Sequence, residues 1–163
     1  MEEVEAIRAR YRPERIKTLF VGESAPHNGT FFYCGNTTML RQMKRAVEEA
    51  LGESSDFLRT FKAYGWYLDN LVLEPVNQLP KSQRSAKCLV AQNSLMHRIK
   101  EYQPLAIVSL LLGIENIVNA AAITAGSDAR RFAVPFPGMG QQARFQAAMA
   151  GIIPELPRST TPL

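Results

Sequence analysis

Apolar residues along the chain alternate between short dense runs and stripes at helical spacing, the pattern of strands buried on both faces by crossover helices. Val4, Ile7 and Tyr11 predict a short N-terminal helix ended near Pro13. Thr18–Gly22 reads as a first buried strand, broken by Gly22 and then Pro26. Asn36 or Thr37 is placed to cap a helix striped by Met39, Leu40, Met43, Val47 and Leu51, with Gly52 beyond its end. Ser55 is the expected cap of another helix, carrying Phe57, Leu58 and Phe61 up to Gly65, and Trp66 to Leu73 is the expected second strand. Glu74 to Arg84, with Pro75, Asn77 and Pro80, reads as loop; the helix after it presents Cys88, Leu89, Leu95, Met96, Ile99 and Tyr102, and stops at Pro104. Leu105 to Leu112 is the best central strand. Gly113 opens a helix bearing Ile114, Ile117, Val118, Ala121 and Ala122, closed at Gly126. Arg131 to Pro135 predicts a fourth strand, 137–140 a loop, and Phe145, Met149 and Ile152 a last helix.

This order predicts an α/β fold, a three-layer αβα sandwich around a four-stranded, mostly parallel sheet. The 163 residues suit a single domain over 1–163, with a frayed tail at 155–163. Apolar content of 46% against 21% charged is ordinary for a globular chain and excludes a disordered or fibrous one. The longest apolar run falls well short of the ~20 residues of a membrane span, and the acidic start does not resemble a signal peptide, so a cytoplasmic monomer with no membrane partner is expected. Two cysteines, Cys34 and Cys88, cannot form a four-cysteine cluster, and neither a metal nor another cofactor is expected. Only His27 and His97 offer an imidazole; His97 falls in a helical pattern as a surface or half-buried residue. The formal charge of +4 is compatible with a polyanionic partner without requiring one.

In an open parallel sheet, ligands bind beyond the carboxyl ends of the strands, where loops converge and helix N-termini aim free N–H groups. The loop from Gly22 to Tyr33 is the richest of these, with a carboxylate, a hydroxyl, an imidazole, an amide and three aromatics. Exposed connections usually avoid aromatic residues, so the composition of this one points to function. The other strand-end segments carry Asn70, Glu115 and the run Pro135 to Gly140.

Taken in order, these segments resemble the uracil-DNA glycosylase superfamily from Thr18 to Met149. Gly22-Glu23-Ser24-Ala25-Pro26 is similar to the family's first motif, a Gly-Glu-Ala-Pro or Gly-Gln-Asp-Pro sequence after the first strand. Gly29-Thr30-Phe31-Phe32 is similar to the Gly-Arg-Pro-Phe stretch of the iron-sulfur subfamily, and Asp69-Asn70-Leu71-Val72 to the Asn-Val-Val end of the second strand. Pro135-Phe136-Pro137-Gly138-Met139-Gly140 stands where the family has His-Pro-Ser and a DNA-entering loop, with the histidine missing.

The resemblance implies a hydrolase that flips uracil or another deaminated base out of DNA and excises it. It implies Phe32 as the stacking ring, with Phe31 or Tyr33 as alternatives, and Gly22 and Pro137 as pocket backbone. Asn70 suits base reading, since its carboxamide can accept from uracil N3–H while donating to O4; a capping bond to a neighbouring loop is the structural alternative. Ser24 and Pro135 occupy the places of the family's aspartate and histidine and supply neither charge nor proton. A positioned acid or base is worth about 10²–10⁴-fold, so their loss predicts slow chemistry or substitute groups. Glu23 is the nearest carboxylate, for a pocket or water contact or as an acceptor of loop N–H groups; His27 reads as a DNA or pocket-edge residue rather than a proton donor. Lys81, Arg84 and Lys87 after the second strand, and Arg130, Arg131 and Arg144 around the fourth, are candidates for phosphate contact, against the commoner role of a solvated face. Met139 is either an apolar wedge for the duplex or a side chain packed back on the domain. Two other readings remain: a related fold that binds nucleic acid or a nucleotide without hydrolysis, and an esterase-like enzyme using Ser24. A second glycine after Ser24 and a late histidine are missing, which argues against the last.

Overall fold

The computed structural model describes residues 2–25, 31–74, 76 and 78–159. Among them, the apolar runs form four strands: β1 (Thr18–Gly22), β2 (Trp66–Asn70), β3 (Ala106–Ser109) and β4 (Arg130–Ala133). All neighbours pair in parallel in the order β2-β1-β3-β4. Every residue of β1, β2 and β3 is buried, whereas β4 at the edge is exposed or half-buried. That contrast explains why the first three read as nearly continuous apolar runs: strands covered on both faces have no polar side to alternate with.

The helices are α1 (Glu2–Arg10), α2 (Thr38–Leu51), α3 (Phe57–Ala63), α4 (Lys81–Tyr102), α5 (Glu115–Thr124) and α6 (Gln142–Ile152). α2 packs with α6 and α4 with α5, which gives the two helical layers of an αβα sandwich. The chain leaves β1 in one direction for β2, then crosses back over β1 to β3. The direction therefore reverses beside β1, which makes its carboxyl end a topological switch point.

Local chemistry accounts for most boundaries. Thr37 accepts the Leu40 N–H at 3.0 Å and starts α2, a cap worth about 1 kcal/mol, while Asn36 accepts the Phe31 N–H at 2.9 Å and closes the preceding turn. Asp56, not Ser55, caps α3, accepting from the Arg59 N–H. β2 stops at Asn70 rather than Leu73, although Leu71 and Val72 still donate to the Gly22 and Glu23 carbonyls at 2.8 Å. β3 is confined to 106–109 because a turn of 3-10 helix, Leu112–Ile114, follows before α5. α4 begins at Lys81 behind Pro80, so Lys81 and Arg84 belong to its first turn and not to a loop.

The tail is not frayed over its whole length. Leu156 is buried, the Pro157 carbonyl accepts from the Thr18 hydroxyl and the Trp66 indole at 2.9 Å each, and the Ser159 N–H donates to Tyr64. These bonds tie 155–159 to the amino ends of β1 and β2; residues 160–163 lie outside the described residues. The edge of β2 that pairs with no strand is closed by a side chain. The Tyr33 hydroxyl accepts the Leu68 N–H at 2.6 Å and donates to the Leu68 carbonyl at 2.8 Å, satisfying both edge groups from a 3-10 turn at Phe32–Cys34. Among the described residues no helix is long and apolar enough to cross a membrane.

Candidate functional site

The carboxyl edge of the sheet gathers the ends of β1 and β2 in register, with Gly22 opposite Asn70. Asn70 is buried and its carboxamide lies over Gly22: a Cβ added there would sit 3.0 Å from Asn70 Oδ1 and 3.9 Å from the Met39 methyl. The missing side chain is what allows the amide to lie across the end of β1. Among the described residues the Asn70 side chain makes no hydrogen bond, while its backbone is held at both ends. Its N–H donates to Asp69 Oδ1 at 2.8 Å and its carbonyl accepts from Arg98 at 2.8 Å.

Glu23 follows immediately. It is half-buried, with Arg84 Nε 3.7 Å from its Oε1. Burial pushes the Glu23 carboxyl above its ordinary range, and the Arg84 charge only partly offsets that. The buried Cys88 thiol, one turn beyond Arg84 on α4, is likewise pushed up, first by burial and then by the negative charge of Glu23. Arg84 thus faces a carboxylate of the site, which makes it more than a phosphate contact. Ser24 has a structural role: its hydroxyl accepts the Val76 N–H at 3.2 Å and ties the loop after β1 to the loop after β2. His27 and Pro26 lie outside the described residues. His97, toward the C-terminal end of α4, is exposed, and among the described residues no imidazole is bonded to Ser24.

The three aromatics of the first loop point inward. Phe31, Phe32 and Tyr33 are all buried, Phe32 tilted against Phe61 and edge-on to Tyr33. Phe32 therefore forms part of the wall between this edge and the core rather than a free stacking platform. Pro137 is also buried. Met139 does not pack back on the domain: it is 90% exposed, with a left-handed φ of 55° between Gly138 and Gly140. Gly138 makes room for the Phe136 ring, whose nearest atom would be 3.0 Å from an added Cβ, and this packing steadies the loop that presents Met139. Lys81 and Arg144 are exposed in the first turns of α4 and α6, on the same edge, Arg144 donating to Gln141. Arg130 and Arg131 are at the other end. They begin β4, opposite Ala106 and Ile107, so they belong to the amino edge, and Arg130 pairs with Glu155.

One cluster escaped the sequence reading. Asp69, 2% exposed, is gripped by Arg8 Nη1 at 2.5 Å and Arg98 Nη1 at 2.7 Å. Arg98 also donates to the carbonyls of Asn70 and Leu71, and Arg8 lies over the Phe31 ring at 5.3 Å. Two helices and the loop after β1 are thus locked onto the residue before Asn70. A carboxylate inside an apolar strand was the available signal; its partners lie 61 and 29 residues away, beyond the reach of any local pattern.

No protein-family model matches the chain, and no curated protein matches it.

Proposed function

We propose that this chain is a uracil-DNA glycosylase-like hydrolase that recognises a deaminated base, flipped out of DNA, at the carboxyl edge of its sheet. The observation that carries the reading is the Asn70 carboxamide lying across Gly22, buried but without a side-chain hydrogen bond among the described residues. An amide held that way can accept from the N3–H of uracil and donate to O4, a pairing that cytosine reverses. Gly22 leaves room for that amide at the end of β1.

Glu23 supplies the carboxylate of the reaction in this reading. Water attacks the sugar C1′ as the bond from C1′ to the base nitrogen breaks; the base leaves with the bonding electron pair and Glu23 takes the proton from the water. Its raised pKa makes it a stronger base than an exposed carboxylate, while Arg84 keeps its ionised form in place. Exposed Met139 suits entry into the base stack, and Lys81 and Arg144, exposed on the same edge, suit contact with phosphates.

The test is single-turnover incubation with oligonucleotides containing uracil, hypoxanthine or xanthine, read as alkali-labile sites. Asn70→Asp is expected to reduce product by roughly 10²-fold, the scale of one hydrogen bond aimed at developing charge. Phe32→Ala does not serve, because that ring supports the core. Absence of product from every base, in single- and double-stranded DNA, refutes the reading. A second reading, DNA binding without hydrolysis, is favoured by Ser24, whose uncharged hydroxyl is engaged with Val76 N–H. Binding that falls steeply with salt and yields no abasic sites selects it.

A further inference from the structure

We infer that a groove at the amino edge of the sheet, opposite the site containing Asn70, binds the phosphate backbone of a nucleic-acid strand. The groove encloses about 570 Å³ between the end of α1, the turn before β1 and the end of α3. Arg10, Arg15, Arg59 and Lys62 line it with a single carboxylate, Glu14, so most of the chain's formal charge of +4 is concentrated there.

These four cations are grouped and unneutralised, unlike several others on the surface. Arg45, Lys87 and Arg130 are each paired with a carboxylate, at Glu49, Glu74 and Glu155, whereas among the described residues none of the four groove cations makes a salt bridge. Lys62 donates to the Arg10 carbonyl at 2.8 Å, which fixes its position and leaves N–H groups to spare. A second groove of about 570 Å³ on α2 is the internal contrast. Arg41, Lys44 and Arg45 there face Glu48, Glu49 and Glu53, so an equal volume carries no net charge.

The floor of the charged groove is preorganised. Gly65 has a φ of +81°, and an added Cβ would meet Lys17 Cγ at 3.0 Å and the Arg15 carbonyl at 3.1 Å. The Gly65 carbonyl in turn accepts from Lys17 and Thr18, holding the base of Arg15 in place. Three guanidiniums outnumber the one ammonium, and their planar forks fit phosphate oxygens two at a time. The half-buried Tyr11 ring, backed by Tyr33 at 5.3 Å, adds an aromatic surface beside them, the combination that sequence-tolerant strand binding uses. The five residues of β1 separate this groove from Gly22 by roughly 17 Å, so a strand held here is a contact distinct from the flipped base.

Fluorescence anisotropy with a labelled, uracil-free oligothymidylate tests the assignment without reference to base excision. The double variant Arg15→Ala, Arg59→Ala alters only exposed side chains and is expected to bind roughly 10–30-fold more weakly near 0.1 M salt. Its slope of log K against log salt should be shallower by about 1.4, for two phosphate contacts to a single strand. Arg41→Ala, Lys44→Ala on the neutral groove should bind as the unaltered protein does. Unchanged affinity in the Arg15, Arg59 variant overturns the inference, as does an equal loss in the Arg41, Lys44 control. Displacement by polyglutamate of matched charge as readily as by unlabelled strand overturns it in favour of an acidic protein partner.

Discussion

Replacing Asp69 by Asn removes one charge while keeping the shape of the side chain, and leaves two guanidiniums with no anion between them. Arg98 retains its bonds to the Asn70 and Leu71 carbonyls and is partly open to solvent. Arg8 has less in reserve, a single exposed carboxylate. Its side chain is 4% exposed, its Nε and Nη2 already lack hydrogen-bond partners, and the nearest other carboxylate, Glu5, is 3.6 Å away. Breaking a buried pair in this way costs about 3–5 kcal/mol, mostly from the charge left behind. In a domain of this size, that corresponds to a fall in Tm of roughly 10 °C. Trp66, the single tryptophan and fully buried, provides the fluorescence signal for urea unfolding, from which the free energy follows by linear extrapolation. Adding Arg8→Met to Asp69→Asn should return part of the loss, since the uncompensated charge is then gone. A loss below about 1 kcal/mol for Asp69→Asn, or strictly additive effects in the pair, refutes the view that this cluster holds α1 and α4 to β2.

Three further outcomes follow from the geometry. Gly22→Ala should change stability by less than about 1 kcal/mol yet displace the Asn70 amide, lowering excision at least as far as a weakened hydrogen bond would, about 10-fold; normal turnover in this variant alongside an inactive Asn70→Asp would remove Gly22 from the site. Because the folded protein holds the Glu23 proton more tightly than the unfolded chain, its contribution to stability is fully present at low pH and is lost as pH rises through the raised pKa. Glu23→Gln should therefore stabilise the fold at about pH 8 and lose that advantage below the ordinary carboxylate range, seen in urea midpoints across pH; a pH-independent difference contradicts it. Tyr33→Phe leaves the Leu68 N–H and carbonyl unpaired, so a loss of about 1–3 kcal/mol and faster hydrogen exchange at the Leu68 amide are expected, and unchanged exchange there would show that the edge is closed by something else.

Much of the architecture could be read in order along the chain. Strand cores at Thr18, Trp66 and Ala106, the stripe on α2 and the stop before Pro104 depend on near neighbours, so local pattern and turn chemistry report them. Errors gathered at the ends. Leu71 and Val72 are buried where the chain after β2 bonds to the Gly22 and Glu23 carbonyls, not because they continue a strand, while Leu73 is exposed, and Ser55 and Asp56 are equally good caps until the chain path selects one. The same limit applied to the site. Gly22, Glu23 and Asn70 were singled out because strand ends in a parallel sheet converge, whereas the burial of Phe32 and the presence of Arg84 beside Glu23 depended on packing.

The sequence by itself therefore determined the layers and the direction of the sheet, and pointed to the edge proposed for a ligand, because each follows from periodicity and short-range steric rules. Only the tertiary structure decided which charges are neutralised. It brought Arg8 and Arg98 onto Asp69, tied Pro157 to Trp66, and left Arg10, Arg15, Arg59 and Lys62 together without salt bridges among the described residues. Electrostatic attraction and hydrogen bonding act over a few ångströms in space regardless of separation along the chain. A count of charges thus gives the sign of the molecule, and folding gives the place where that sign is felt.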